Sequence, residues 1–267
     1  MRWLGQPARL FLPLGGSTGD ELAAGLVREK LQFTRMDLRQ PTRVNVVVTP
    51  DEGPQYRFNP TWPRLNRREG ALLRSRVTDL AAGADPLILS GTLAFGAPPD
   101  TYAWLVKLAQ RSGHRSVVDC DRRPFALAVV EKPWMVKPNE FELAQWAGKT
   151  LADTRSRLRA ARDLAATTGG WVIVSRGSRG AWILNAVKRV ELNATPPAVR
   201  PRNRVGAGDA LLAGAVAASI ESDDPAEWLR IAVATGTAAT QVPPGELPSK
   251  SLWNHIYKRV RVRTIRG

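Results

Sequence analysis

The sequence has a single cysteine, Cys120, among its 267 residues. One thiol cannot close an intrachain disulfide, and such scarcity fits a reducing compartment. No uninterrupted apolar run approaches the ~18 residues of a membrane span. Pro7 and Arg9 interrupt the apolar residues near the start, so no secretory signal core is expected there. These absences predict a soluble, cytoplasmic protein. Zinc-ligand spacings, RNA-recognition motifs, internal repeats and low-complexity linkers are also missing. Acidic residues are few: 24 Asp+Glu stand against 39 Lys+Arg, a formal net charge of +15. That balance admits nucleic acid, a membrane surface or small anionic substrates as partners. The basic residues are spread out, apart from Arg67-Arg68 and the tail Lys258-Arg259-Val260-Arg261-Val262-Arg263. The tail alternates basic and apolar residues, as a strand with one wet face does. The expectation is therefore a small anionic substrate, with no nucleic acid and no membrane.

What is present suffices for a sizeable core, since 43% of residues are hydrophobic. Short β-rich runs alternate with helical spacings along most of the chain. Strands are expected at 8–14, 42–49, 55–59, 86–91, 116–121, 134–137 and 171–175, with a hairpin over 181–192 and a basic strand at the end. Helices are expected at 20–32, 67–82, 99–112, 125–130, 141–147, 152–167 and 226–240, with one more before the final strand. This alternation implies a parallel sheet with helices on both faces, whose ligand lies at the C-terminal strand ends. Gly15-Gly16, Ser90-Gly91, Asp119, Asn139 and Glu142, Ser175 and Gly177, and Gly206–Asp209 all follow strands directly. They can therefore line one edge.

Each of these groups has two readings. Gly206-Ala207-Gly208-Asp209 opens a small-residue helical run to Ile220. Its glycines can turn backbone N–H groups onto an anion at a helix N-terminus, with Asp209 as general base. Equally, Asp209 can simply stabilise the first helical turn. Asn139 and Glu142 can organise hydrated magnesium or form a capping box. Ser175-x-Gly177-x-x-Gly180 can bring a nucleotide's phosphates near the backbone or can be an ordinary turn. Gly15-Gly16 suits phosphate or sugar binding and equally a tight connection. Arg43 suits a phosphate dianion, or is a solvated charge.

Lys137-Pro138-Asn139-x-x-Glu142, Ser175-Arg176-Gly177-x-x-Gly180 and Gly206-Ala207-Gly208-Asp209, in this order, resemble the PfkB (ribokinase-like) carbohydrate kinase family. Thr42-Arg43-Val44-Asn45-Val46, Ser90-Gly91-Thr92-Leu93 and Arg259-Val260-Arg261-Val262 resemble its branch of 1-phosphofructokinases and tagatose-6-phosphate kinases. The resemblance implies a three-layer α/β/α fold over residues 1–267, with a mostly parallel central sheet and a small, incomplete β lid whose hairpin is 41–60. It implies ATP and magnesium. Asp209 becomes the catalytic base and Gly206, Ala207 and Gly208 the anion hole. Asn139, Ser175, Gly177, Gly180 and Gly208 become nucleotide-binding residues, and Glu142 with Asn139 the magnesium residues, acting through water. Gly15, Gly16, Arg43, Ser90 and Asp209 become substrate-binding residues. The reaction implied is phosphoryl transfer from ATP to a ketohexose phosphate, fructose 1-phosphate foremost. A non-catalytic nucleotide- or sugar-phosphate-binding protein is the alternative. A homodimer through the lid is also implied.

The chain departs from the family pattern in places. Asp119-Cys120-Asp121-Arg122 stands where the family has Asp-x-Ser-Gly, and Leu93-Ala94-Phe95-Gly96 where it has Leu-Pro-Pro-Gly. Arg2-Trp3-Leu4-Gly5 resembles the segment just after the family's Gly-Gly-Lys-Gly-x-Asn helix. The family's opening strand, with its Asn-Pro-x-x-Asp motif, and half of the lid are therefore expected to be lacking.

Overall fold

A computed structural model describes residues 1–48, 56–58, 60, 63–81 and 83–265. The chain divides into two compact units, Met1–Pro7 with Ala84–Gly91 and Tyr102–Gly267, and Ala8–Gly83 with Thr92–Thr101.

The smaller unit starts with β1 (Arg9–Gly15), α1 (Gly16–Arg28) and β2 (Gln32–Leu38), a right-sized β-α-β element whose strands pair in parallel from Arg9↔Gln32 to Gly15↔Leu38. Here the structure corrects the sequence reading. The helix expected at 20–32 starts at Gly16 and ends at Arg28, and β2 was not foreseen. Arg35 and Asp37 make β2 look like a wet loop, yet they share one side of the strand, where Arg35 pairs with Asp37 at 2.6 Å and with Asp20 at 2.8 Å. Met36 and Leu38, on the alternate positions, are buried and form a small core with Leu65, backed by Phe11, Leu73, Ala94 and Ala97. The strand expected at 42–49 is reduced to β3 (Val46–Val48), which pairs antiparallel with β4 (Tyr56–Phe58). Thr42 is drawn off to the β1–α1 turn instead, where its carbonyl accepts from Thr18 Oγ1 at 2.6 Å. The expected turn Pro50–Pro54 lies outside the described residues. α2 (Arg67–Ala81) completes the unit, its first turn held by Glu69, which is buried and accepts from the Asn66 and Arg39 backbone N–H groups at 2.8 Å.

The larger unit runs β5 (Leu87–Ser90), α3 (Thr101–Arg111), β6 (Ser116–Asp119), α4 (Arg122–Val130), β7 (Met135–Val136), α5 (Glu140–Trp146), α6 (Thr154–Thr168) and β8 (Trp171–Ser175), each strand parallel to the one before. The hairpin β9 (Ala181–Asn185) and β10 (Val190–Thr195) follows, then α7 (Ala207–Glu221), α8 (Pro225–Ala239), α9 (Lys250–Tyr257) and β11 (Arg261–Thr264). The seven strands form one sheet in the order β11-β10-β9-β8-β7-β6-β5. β8 through β11 pair antiparallel.

Both faces of the central strands are covered, which is why they read as unbroken apolar runs. On β8, Trp171 and Ile173 pack in one cluster with Ile183, Leu211, Val216, Trp228, Leu229 and Val233. Val172 and Val174 alternate with them, are fully buried, and belong to the face where α6 packs on β8 and β9. Burying each such aliphatic side chain contributes about 1.5–3 kcal/mol. α7 is a helix of small residues with no polar face, and eight of its residues, Leu211 to Ser219, are buried. It therefore lies under cover along its length, with only its ends able to meet a ligand.

Candidate active site

The parallel strands end together, and backbone contacts knit their ends. Ser90 is in register with Asp119, and the Gly91 N–H donates to the Asp119 carbonyl at 2.9 Å. Asn139 and Ser175 form a further parallel bridge, with the Ser175 N–H donating to the Pro138 carbonyl at 3.0 Å. In this unit, Ser90, Asp119, Asn139 and Ser175 come from adjacent strand ends, as the alternation predicted, and Glu142 follows within α5, whereas Gly206–Asp209, expected directly after a strand, starts well beyond the end of β10 at Thr195, a strand that pairs antiparallel.

At α7, Gly206 takes a left-handed conformation (φ 77°) and is the N-cap, and no side chain caps the helix. The left-handed turn suits glycine. It leaves N–H groups of the first turn aimed outward at the positive end of the helix dipole. Asp209 lies in that first turn and is exposed. Lys137, at the end of β7, is only 5% exposed. Its Nζ is 3.0 Å from Asp119 Oδ1, and 3.6 Å from the position a Cβ would occupy on Gly208. A buried ammonium therefore sits beside the open helix start. Burial pushes the Asp119 carboxyl above its usual range, and the negative charge of Asp209 adds to this, while Lys137 opposes it. A carboxylate whose charge is disfavoured holds a lysine whose charge an incoming anion would welcome.

Asn139 and Glu142 make the capping box. Asn139 Oδ1 accepts from the Phe141 and Glu142 N–H groups at 2.9 Å, and Glu142 Oε2 accepts from the Asn139 N–H at 2.8 Å. Glu142 has its pKa raised by burial, and Lys137, Asp119 and Asp121 all act on it electrostatically. Among the described residues, no group of three or more His, Cys, Asp or Glu side chains is arranged to hold a metal directly. The donor set nonetheless suits magnesium, which keeps most of its waters and needs one or two carboxylates plus phosphate oxygens.

The turn after β8 is shaped by glycine. Gly177 (φ 58°) and Gly180 (φ 86°) are both left-handed, and a Cβ on Gly180 would lie 1.9 Å from the Ala194 carbonyl oxygen. The Arg176 N–H donates to the Gly180 carbonyl at 2.8 Å, closing the turn.

Gly15, Gly16 and Arg43 belong to the smaller unit. There the tight-connection reading of the glycines has direct support. The Gly15 N–H donates to Thr42 Oγ1 at 3.0 Å, and a Cβ on Gly15 would stand 2.2 Å from the Gln40 carbonyl oxygen. Arg43 Nη1 donates to the Pro60 carbonyl at 3.3 Å. Ser90 is exposed at the end of β5, and its carbonyl accepts from the Tyr102 hydroxyl at 3.1 Å.

Comparison with known proteins shows the family of the chain. A family model described as "pfkB family carbohydrate kinase" matches residues 1–250. The chain belongs to the pfkB family of carbohydrate kinases. Among pfkB relatives, 1-phosphofructokinase of Rhodobacter capsulatus is 37% identical over 186 residues, which are 70% of this chain and 58% of that protein. The match thus spans less than two thirds of that relative's length. ATP-dependent 6-phosphofructokinase isozyme 2 of Escherichia coli (strain K12) is 30% identical over 240 residues, 89% of this chain and 77% of that one. The crystal structure of phosphofructokinase-2 from Escherichia coli in complex with potassium superposes with a TM-score of 0.87 at 29% identity, covering 96% of this chain and 82% of that one. A tetrameric inhibited form of the same enzyme superposes with a TM-score of 0.83 at 28% identity, with the same coverages.

Within this pfkB chain, the Lys137–Asp119 pair is what residue-by-residue reading missed. In the sequence Lys137 is the first letter of its motif and Asp119 an acid at a strand end. The available signal was that both residues close neighbouring parallel strands, β6 and β7. Arg122, a departure from the family's glycine, has φ 57°, a backbone that favours glycine, and its side chain is 76% exposed with Nε 3.6 Å from Asp121 Oδ2. No helix among the described residues is long and apolar enough to cross a membrane.

Proposed function

We propose that this chain transfers the γ-phosphoryl group of ATP to a hydroxyl of a ketohexose phosphate, with fructose 1-phosphate the first substrate to test. The reading rests on one observation: an uncapped helix start at Gly206 with exposed Asp209 in its first turn and buried Lys137 beside Gly208. Phosphoryl transfer asks of a protein mainly positioning and charge stabilisation, and these are the means for it. In this reading the N–H groups of Gly206, Ala207 and Gly208 receive the phosphoryl oxygens. Asp209 takes the proton as the substrate O–H bond breaks and the new P–O bond forms, while the bond to the ADP oxygen breaks. Lys137 offsets charge gathering on the phosphoryl group. Asn139, Ser175, Gly177 and Gly180 line the nucleotide. Glu142 and Asn139 hold magnesium through its waters; when bound, the metal neutralises phosphate charge. Gly15, Gly16 and Ser90 contact the sugar phosphate, with Arg43 on its phosphate.

The remaining readings go with this one. Residues 1–267 act as one kinase domain in the cytoplasm, with 41–60 as its lid hairpin. Val46, Val48, Tyr56 and Phe58 are 44–59% exposed on β3 and β4, and such an apolar surface supports a homodimer through the lid. The experiment is ADP release with fructose 1-phosphate, fructose 6-phosphate and tagatose 6-phosphate as acceptors. Asp209→Asn should lower kcat by about 100-fold or more, the size of a general-base contribution. Full turnover in that variant would remove Asp209 from the base role. Absence of turnover with every acceptor, in a chain that binds ATP, would point to the binding-only alternative.

A further inference from the structure

The turn after β8 holds charges for which the proposed reaction has no use. Arg176 leaves the strand directly after Ser175 with its side chain only 10% exposed. Its guanidinium lies 3.9 Å over the Trp182 ring, and Nη1 donates to Asn193 Oδ1 at 3.1 Å. Its Nε stands 3.5 Å from Glu140 Oε1. Arg179, at the other end of the turn, donates through Nη2 to Glu140 Oε2. Arg157 of α6 approaches Glu140 Oε1 at 3.8 Å. Glu140 is the first residue of α5, next to the N-cap Asn139. Three guanidiniums thus meet at one carboxylate, and Asp153 is a further acid influenced by Arg157.

This cluster is poorly suited to stability alone. Glu140 Oε1 and Arg176 Nε are buried and lack a hydrogen bond of good geometry. Burial lowers the Arg176 pKa, and Arg179 and Arg157 push it the same way against Glu140. A buried ion pair with unmet hydrogen bonds gains little over a packed apolar pair. What the cluster does supply is geometry. Both ends of the 176–179 turn are fastened to the residue beside Asn139, while the Asn139–Ser175 bridge joins the same two segments through the backbone.

We infer that Glu140 is a positioning residue for the nucleotide: it fixes Arg176 and Arg179 so that the turn after β8 and the start of α5 keep the spacing a polyphosphate needs. The inference rests on the proposal that Ser175, Gly177 and Gly180 line the nucleotide site.

The test is calorimetric titration of ATP into the wild type, Glu140→Ala and Glu140→Asp, alongside steady-state kinetics. With the turn no longer fastened to the start of α5, Glu140→Ala should weaken ATP binding about ten-fold or more. KM for ATP should rise in parallel, with kcat and the KM for the phosphosugar held within about two-fold. Glu140→Asp should recover most of the affinity. If Glu140→Ala does not fold, Arg179→Gln removes one half-exposed guanidinium without emptying a buried position and should still weaken ATP by about three-fold, within the range of a partly exposed ion pair. Unchanged ATP affinity in folded variants, even with a lowered Tm, overturns the inference and leaves the function standing. A wild type that binds no ATP overturns the nucleotide site and the inference with it.

Discussion

Replacing Lys137 by Met removes the cation from a pair whose side chains are 6% and 11% exposed, at an N–O distance of 3.0 Å. The volume and the aliphatic stem are nearly kept, so packing changes little, and the loss is electrostatic. Breaking a buried pair from one side costs about 3–5 kcal/mol, because the remaining charge is stranded. Asp119 has an escape, since it can take up a proton. Burial already raises its pKa above the usual aspartate value, and Lys137 is the chief influence holding it down. Without Lys137 its pKa rises further. A carboxyl whose folded pKa exceeds its unfolded one favours folding at low pH, and that advantage is lost as pH rises through the folded pKa. Lys137→Met should therefore cost most at high pH and less as pH falls through the raised pKa, by about 1.4 kcal/mol per pH unit in that range. Urea unfolding of the wild type, Lys137→Met and Lys137→Met/Asp119→Asn at pH 5 and pH 8 reads this directly. The double variant should recover most of the loss at pH 8 and show no added pH dependence. A Lys137→Met cost that is equal at pH 5 and pH 8, with no rescue by Asp119→Asn, refutes the electrostatic account. The variant also lacks the cation beside Gly208. Its kcat should fall by about 10²–10³, as when a preorganised stabilising donor is removed, and the double variant should not restore it. Stability and turnover then separate, because the first depends on the pair and the second on the ammonium.

Gly180→Ala should lower stability by about 3 kcal/mol or more, from left-handed strain added to overpacking. The added Cβ meets the Ala194 carbonyl at 1.9 Å with φ at 86°. A thermal unfolding scan checks this, and a Tm within a degree of wild type would mean that the turn relaxes freely. Cys120 is buried and free, and burial, with Asp119, Asp121 and Glu142 around it, pushes its thiol far above the ordinary range. It should resist a thiol-specific disulfide reagent at pH 8 in the folded protein and react fully in denaturant; rapid labelling of the native protein would show the β6 end to be open.

The larger unit was legible because its central strands are buried on both sides. Trp171–Ser175 and Ser116–Asp119 are short continuous apolar runs between strong helical patterns, and nothing else accounts for them. The smaller unit was harder, for the opposite reason. β2 is half polar, and its Arg35 and Asp37 satisfy each other along one side of the strand, so charges that suggest a loop sit within a strand. Thr42 has high strand propensity, yet its hydroxyl and carbonyl serve the β1–α1 turn, and tertiary hydrogen bonding overrides local preference there.

The candidate site divides along a similar line. Gly206, Gly177 and Gly180 were readable because each has a backbone conformation that other residues resist, and such positions leave a mark in sequence. Lys137 and Asp119 left none, since a lysine and an aspartate at strand ends are ordinary until register places them side by side. Asn139 and Glu142 show the capping box formed, and it leaves room for the proposed magnesium role. The box engages Glu142 through Oε2, and the same carboxyl remains within electrostatic reach of Lys137, Asp119 and Asp121. The cap fixes the direction of the carboxylate, and a ligand held through water needs that more than it needs both oxygens. If Glu142 serves the proposed magnesium site, the structural role is a means to it, since a carboxylate pinned by its own helix is already oriented for a hydrated cation.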